Sequence, residues 1–301
     1  MKTFKISLLV LVTLILSCDS NNDDESSVLT FDGDVILVSQ EEINSFGTNN
    51  YNSISGDLII SDIEDGAHDI TDLSPLNSLT SITGTITVRD NNNLNSFDGF
   101  DSLNSVDVGI EIYRNNNLVQ INALNSISNV VEYILINRND VLVNINGLIN
   151  IPDYIDNIGI ALNPSLQNLN CFSNIQNLSG GIQIIECPEI TNLEGLNNFQ
   201  TIGGRLQLSN VNNLNDISQL SNLTDIGENL IIAGTALTDL NGLENLNGVG
   251  FQINIIFNEN LSDYCALNNS LINVGIPGAY EVFQNLYNPT LEDLINGQCN
   301  Q

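Results

Sequence analysis

Apolar residues spaced two apart recur along the chain at a strict interval of 24 residues. Spacing by two places both side chains on one face of a short β-strand, because successive strand residues point to opposite faces. The pattern therefore predicts a series of short strands, each with one apolar face. The pairs are Ile86/Val88, Ile110/Ile112, Ile134/Ile136, Ile158/Ile160, Ile182/Ile184, Leu206/Leu208 and Leu230/Ile232.

Further apolar positions follow each pair in the same register, three residues apart from one another. Steps of three suit tight turns and 3₁₀ segments better than full α-helices. A single repeat cannot bury so many apolar side chains alone, so we expect each repeat to pack against its neighbours. The last of these positions holds Val106, Val130, Tyr154, Leu178, Ile202 and Ile226.

A column of asparagines accompanies the apolar positions. Asn91, Asn115, Asn139 and Asn163 each lie five residues after the start of a pair, and Cys187 and Val211 continue the column. An inward asparagine can bond backbone groups of the next repeat that would otherwise be buried without partners. We interpret the column as a structural ladder, and the alternative is a row of polar ligand-binding groups.

These features together predict a β-solenoid with 24-residue coils, one parallel β-sheet and short capping elements. The string Ile86-x-Val88-x-x-Asn91-x-x-Leu94 resembles the core of a leucine-rich repeat. The longer arrangement resembles the receptor L domain, a related solenoid of growth-factor receptor ectodomains, over roughly Asp34 to Cys299. The resemblance implies a fold and a recognition surface on the sheet, but it implies no particular ligand.

The start of the chain has the features of an export signal. Lys2 and Lys5 precede an apolar run, Ile6 to Leu16, that is too short to span a bilayer. The following Ser17-Cys18 resembles a bacterial lipobox, and this resemblance implies that Cys18 is lipidated and anchors the protein without a transmembrane helix. The alternative is an ordinary secretory signal followed by an incidental cysteine.

The acidic stretch Asp19 to Ser27 has no apolar residue and predicts a flexible tether. It resembles the export tags of Bacteroidetes surface lipoproteins, which implies an outer-membrane protein facing the cell exterior; a periplasm-facing anchor is the alternative. We divide the chain into a signal peptide (1–17), a lipidated cysteine with its tether (18–33), an N-terminal cap (34–57), a repeat region (58–257) and a C-terminal cap (258–301).

Both ends carry cap signals. Ser39 followed by Glu42 predicts the start of a short helix that Gly47 can close. Cys265 and Cys299 both lie in the C-terminal cap, and in an exported protein we expect them to form a disulfide. Cys171 and Cys187 occupy different positions of the repeat, so we expect buried free thiols.

The first repeat is four residues longer than the others, and the extra residues fall in an acidic loop. The loop contains Asp62, Glu64, Asp65 and Asp69, whose oxygens are the ligand type that Ca²⁺ prefers. Their spacing matches no known ion-binding loop, so a solvated acidic loop is the alternative. Apart from Ca²⁺, the sequence predicts no cofactor.

Composition excludes several kinds of chemistry. The chain has six basic and 36 acidic residues and one histidine, so we expect no nucleic acid partner. Beyond the signal segment it has no lysine, and His68 is the one imidazole available for a catalytic pair. We therefore expect no enzyme; the alternative that remains is carboxylate catalysis, as in β-helical polysaccharide-cleaving enzymes.

The outward side chains of the strands are the candidate binding face for a protein or glycan ligand at the cell surface. Aromatic residues and arginine are enriched at interfaces, and this face combines both. One alternative is that each arginine pairs with a local acid such as Asp90, Glu111 or Asp140; another is a rod-like spacer in the surface coat. The candidate residues are Tyr113, Arg114, Tyr133, Leu135, Arg138, Ile185 and Arg205.

Overall fold

The computed structural model describes residues 28–62, 69–130, 132–267 and 278–301. Within these ranges the chain consists mostly of parallel β-sheets with few helices. The main sheet has eleven strands, which lie side by side in chain order. They are Val35–Leu37, Leu58–Ser61, Ile86–Arg89, Gly109–Tyr113, Tyr133–Asn137, Asn157–Ala161, Ile182–Ile185, Leu206–Ser209, Asn229–Ala233, Gln252–Ile256 and Tyr280–Phe283.

The register of the main sheet follows the sequence repeat. Ile110 pairs with Ile134, and Ile158 pairs with Ile182, each partner lying 24 residues further along the chain. The predicted apolar pairs all face inward and are at most 1% exposed. Parallel in-register pairing stacks identical positions directly on one another, so the apolar pairs merge into one continuous core.

Two smaller parallel sheets, each with four two-residue strands, accompany the main sheet. The expectation of a single sheet was therefore wrong. Two-residue strands are too short to leave a periodic signal in a sequence, which is why the repeat did not reveal them. One sheet contains Thr30–Phe31, Ser53–Ile54, Ser81–Ile82 and Ser105–Val106; the other contains Asn177–Leu178, Thr201–Ile202, Asp225–Ile226 and Gly248–Val249.

Pro152 lies where the two small sheets are interrupted. In the equivalent positions, 24 residues apart, Ser128 N donates to Asn104 O at 3.0 Å and Gln200 N donates to Gln176 O at 2.7 Å. Proline has no N–H and cannot make this bond. The chain shifts by one residue here: Tyr154, which the pattern predicted to be buried, is 53% exposed, and Ile155 is fully buried in its place.

The N-terminal cap begins earlier than predicted, because Thr30–Phe31 pairs with Ser53–Ile54 inside the stretch assigned to the tether. The helix Gln40–Gly47 then covers the open end of the core with Ile43. Ser39 caps the helix by accepting from Glu42 N, as expected, whereas the Glu42 carboxylate accepts from Val38 N instead of from Ser39 N.

The C-terminal cap contains the last main-sheet strand and the helix Leu291–Ile295, which Thr290 and Asp293 cap reciprocally. Cys265 and Cys299 form a disulfide with an S–S distance of 1.96 Å. Tyr264 N donates to Cys299 O at 2.8 Å beside it. The disulfide therefore ties the chain end to the 3₁₀ segment Cys265–Leu267. The other 3₁₀ segments are Ser74–Leu76, Asn122–Ser126, Asn146–Leu148, Asn170–Phe172 and Ser218–Leu220.

The asparagine column forms a buried hydrogen-bond ladder. Asn115 N and Asn115 Nδ2 both donate to Asn139 Oδ1, at 3.1 and 3.3 Å. Asn139 Nδ2 in turn donates to Ile112 O and Asn137 O, at 3.1 and 3.2 Å. Because these asparagines are fully buried, the ladder supplies partners that water cannot reach.

Cysteine replaces asparagine at the next step of the ladder. The Cys187 sulfur accepts hydrogen bonds from the backbone and the side chain of Asn163, while burial raises the pKa of this thiol to about 11. The thiol therefore stays protonated at neutral pH. Val211 interrupts the column, and Thr235, Asn258 and Asn285 begin a second ladder in which Thr235 N donates to Asn258 Oδ1 at 3.0 Å.

We predict that Asn139→Ala lowers the free energy of unfolding by about 3–5 kcal/mol, because several buried groups lose their partners together. Denaturant titration followed by circular dichroism measures this change. Asn116→Ala, at an exposed site nearby, is the matched control and should change the stability by less than about 0.5 kcal/mol. Equal effects of the two substitutions would contradict the ladder.

Candidate functional site

Two of the predicted binding residues lie on the outer face of the main sheet. Tyr133 is paired with Gly109, and Leu135 with Glu111 on one side and Gly159 on the other. A Cβ atom added to Gly109 would lie 2.6 Å from the Tyr133 ring, and one added to Gly159 would lie 2.8 Å from Leu135 Cδ2. The two large side chains therefore lie flat across neighbouring glycines, and Leu135 remains 41% exposed.

Polar neighbours fix the Tyr133 ring in place. Its hydroxyl donates to Glu111 Oε1 at 3.2 Å and lies 3.4 Å from Thr85 Oγ1. Burial, and secondarily the nearby Glu111 carboxylate, raise the pKa of the Tyr133 phenol. Tyr133 thus presents a neutral ring, held in place by hydrogen bonds, at this face.

Arg114 and Arg138 do not lie on the same surface as Tyr133. Each directly follows a strand of the main sheet, at φ values of 55° and 57°. They line an open groove of about 910 Å³ that runs past the carboxyl ends of successive strands, which we name the carboxyl-edge groove. Its lining residues are Asp90, Asn92, Arg114, Asn116, Arg138, Asp140, Leu162, Pro164, Glu186, Pro188, Asn210 and Asn212.

One column of the groove lining has left-handed backbone throughout. Six consecutive equivalent residues have φ between 53° and 62°, and none of them is glycine. The left-handed region disfavours residues that carry a Cβ, by about 1–3 kcal/mol each. Gly234 occupies the next position of the column at φ 64°, so the left-handed conformation forms there without a side chain. The six residues are Asp90, Arg114, Arg138, Leu162, Glu186 and Asn210.

The charges of the groove are unevenly paired. Arg114 forms a two-point ion pair with Asp90, with its Nη2 2.8 Å from Asp90 Oδ2, and its guanidinium lies 5.0 Å from the Tyr113 ring centre. The hydrogen bond to Asp90 raises the pKa of Arg114. Arg89 Nη1 approaches the same carboxylate at 3.7 Å. Among the described residues, Arg138 has no ion-pair partner, so its charge is available to the groove.

The remaining predicted binding residues lie apart from this groove. Arg205 precedes the strand Leu206–Ser209, and its carbonyl accepts from Ile182 N, so it lies at the opposite, amino end of the strands. Tyr113 and Ile185 are each the last residue of a strand; Tyr113 is paired with Arg89 and Asn137, and Ile185 with Ala161 and Ser209. The seven predicted residues therefore do not form a single patch; they divide between the outer face, the carboxyl-edge groove and the opposite strand ends.

The acidic loop is described only at its two ends. Asp62 is fully buried, and its Oδ2 accepts from Ile70 N at 3.3 Å. Asp69 accepts from Gln40 N at 2.9 Å and so holds the start of the helix Gln40–Gly47. Glu64 and Asp65, which complete the predicted Ca²⁺ site, lie outside the described residues, as does Cys18. Asp263 lies close to Cys265 and Cys299, but both sulfurs belong to the disulfide and cannot ligate a metal.

Most of the groove residues were not predicted from the repeat pattern. The pattern drew attention to Arg114 and Arg138 for their charge and to Asp140 as a possible ion-pair partner, but not to Glu186 or the prolines beside them. A signal was present in the column itself, since it ends with Asn210 and Gly234, the two residue types that favour left-handed backbone. This signal identifies all residues of the column as turn residues at the strand ends.

We predict that Glu186→Gly increases the free energy of unfolding by about 1 kcal/mol, because glycine removes the left-handed strain from an exposed residue. Thermal and urea denaturation both measure this change. The matched control, Glu189→Gly, replaces an exposed turn residue without positive φ and should decrease the stability. Destabilisation by both substitutions would show that the backbone at Glu186 is unstrained.

No family model, no curated protein and no solved structure matches the chain. A functional interpretation therefore depends on the chain's own sequence and geometry. Within the described ranges, none of the helices combines the length and the apolar character needed to span a membrane.

Proposed function

We propose that the chain is a leucine-rich-repeat-like β-solenoid, similar to the receptor L domain, that works as a binding or adhesion protein at the cell surface. The observation that carries this proposal is the carboxyl-edge groove, with its column of strained residues that retain their side chains. Strained backbone persists where the surrounding structure holds it, and it is concentrated at ligand-binding sites. The in-register main sheet supports the solenoid part of the proposal.

Binding fits the chemistry of the groove better than catalysis. The lining contains carboxylates, guanidinium groups, side-chain amides and apolar residues, but no histidine, cysteine, serine or tyrosine. Catalysis by a hydroxyl, thiol or imidazole nucleophile requires one of the missing groups, so carboxylate catalysis is the one alternative that the lining retains. Convergent polar groups beside an apolar surface are typical of a recognition site.

The sequence supports placing this binding protein on a lipid anchor at Cys18, in the outer membrane and facing the exterior. An acidic tether after the anchor would hold the groove away from the membrane. In this arrangement the large excess of acidic residues keeps the surface hydrated and repels nucleic acids and anionic lipid headgroups.

We predict that Cys18→Ser abolishes lipid attachment and releases the protein from the membrane fraction, because the thiol is the group that carries the acyl chains. Labelling cells with a radioactive fatty acid, followed by fractionation, tests both effects. Ser17→Ala keeps a small residue before the cysteine and should leave labelling unchanged. A Cys18→Ser protein that remains membrane-bound, or wild-type protein that takes up no fatty acid, would contradict the anchor.

We predict that Tyr133→Ala combined with Arg138→Ala reduces attachment of expressing cells to at least one of several immobilised extracellular proteins and polysaccharides. The two residues represent the outer face and the carboxyl-edge groove, and both side-chain types are frequent hot spots of binding. A deletion strain that carries either the wild-type or the variant chain provides the comparison.

Asp101→Asn is the control for this experiment, because Asp101 is an exposed turn residue outside both surfaces. Its attachment should equal that of the wild type. If the deletion strain attaches to every surface as well as the wild type does, binding is excluded and the spacer interpretation takes its place.

A further inference from the structure

The backbone of the carboxyl-edge groove offers few free donors to a ligand. Arg114 N donates to Asn137 O at 3.1 Å, Arg138 N to Ala161 O at 3.0 Å, and Leu162 N to Ile185 O at 2.8 Å. Each left-handed residue thus uses its N–H to bond the end of the next strand. A peptide that binds as an added strand needs unpaired backbone groups, so the groove does not suit this mode.

The side chains of the groove suit a ligand that is rich in hydroxyl groups. Carboxylates accept hydrogen bonds, guanidinium groups donate them and carboxamides do both, which matches an O–H group that donates and accepts. Arg138, Asp140 and Glu186 provide the charged partners, and charged partners form the stronger hydrogen bonds. A linear array of such groups recognises hydroxyl groups repeated along a chain.

Charge argues for a neutral ligand. The groove has three carboxylates against two guanidinium groups, and Asp90 already neutralises Arg114. The whole chain carries a formal charge of −30. A sulfated or uronate-rich polymer would therefore be repelled over most of the groove.

The dimensions and the apolar part of the groove point to a polymer. The lining comes from six successive strand ends, which at the usual spacing of parallel strands extend over roughly 24 Å. Leu162, Pro164 and Pro188 form an apolar stretch within this length. Sugar rings have apolar C–H faces as well as hydroxyl edges, so a saccharide chain can use both parts of the lining.

We propose that the carboxyl-edge groove binds an extended, neutral polysaccharide chain that lies across the strand ends. Its hydroxyl groups bond Arg138, Asp140 and Glu186, and its ring faces lie against Leu162 and the prolines. This inference depends on the proposed binding function and gives that function a ligand class.

Calorimetric titration of the purified protein with soluble, neutral oligosaccharides of glucose, mannose, galactose or xylose tests the proposal. We expect at least one of them to bind, and Arg138→Gly with Glu186→Gly to raise its Kd by about 10-fold or more, since two charged hydrogen-bond partners are lost. Glycine is compatible with the left-handed backbone at both positions, so this variant keeps the fold. Arg205→Ala, which removes an exposed arginine at the opposite strand ends, should leave the Kd unchanged.

Three results would overturn the proposal: no heat with any neutral oligosaccharide, equal affinity of the groove variant and the wild type, or tighter binding of polygalacturonate or heparin than of every neutral chain. The attachment experiment with intact cells separates these failures from failure of the proposed function. If cells attach to immobilised proteins and this attachment requires Tyr133 and Arg138, the proposed binding function stands. Only the polysaccharide ligand is then excluded.

Discussion

Each time the chain leaves a strand of the main sheet, it turns sharply, and the buried N–H of the asparagine that follows the turn needs an acceptor. The side chains of Asn115, Asn139 and Asn163 provide it, since the Oδ1 of each accepts from the backbone N–H of the asparagine in the preceding repeat. Each Nδ2 also donates to one carbonyl of its own turn and to one in the preceding repeat. An unsatisfied buried group would destabilise every turn by about 1–3 kcal/mol. The ladder therefore stabilises the sharp turn that recurs at the same place in these successive repeats.

The same turn determines where the candidate site lies. A left-handed residue ends the strand and directly precedes the asparagine, as in the pairs Asp90–Asn91, Arg114–Asn115 and Arg138–Asn139. While the asparagine points into the core, the residue before it lines the groove. Two adjacent residues of each repeat thus have different places: one contributes to the core ladder and the other lines the candidate site. The core fixes the spacing of the groove side chains to the spacing of the strands, which gives a long ligand a row of equally spaced partners.

Sequence periodicity predicted the parts of this structure that repeat, and it failed where the repeat changes. Burial of Ile134 and Ile136 and the ladder at Asn139 follow from alternation and spacing alone. The exposure of Tyr154 does not follow from alternation or spacing, because it results from the missing N–H of Pro152 two residues earlier. The small sheets stayed hidden for a different reason: two-residue strands carry no alternation that a pattern could reveal.

The candidate site was harder to predict, because strand alternation assigns residues to faces and gives no information about turns. Alternation correctly placed Tyr133 and Leu135 on the outer face. It also grouped Arg138 with them, although Arg138 lies beyond the end of the strand.

The edge that carries the groove also changes character along the molecule, and this change bears on what it can bind. Near its start the left-handed column holds Asp90 and two arginines, whereas further along it holds Phe257 at φ 58°. Phe257 is 51% exposed and packs edge-on against Phe283, with ring centres 5.9 Å apart. Exposed aromatic rings that lie together offer an apolar surface to a partner. Because Phe257 follows the groove in the same column, a long chain bound to the polar part would approach this aromatic pair as it extends, which adds an apolar contact that a short ligand could not reach.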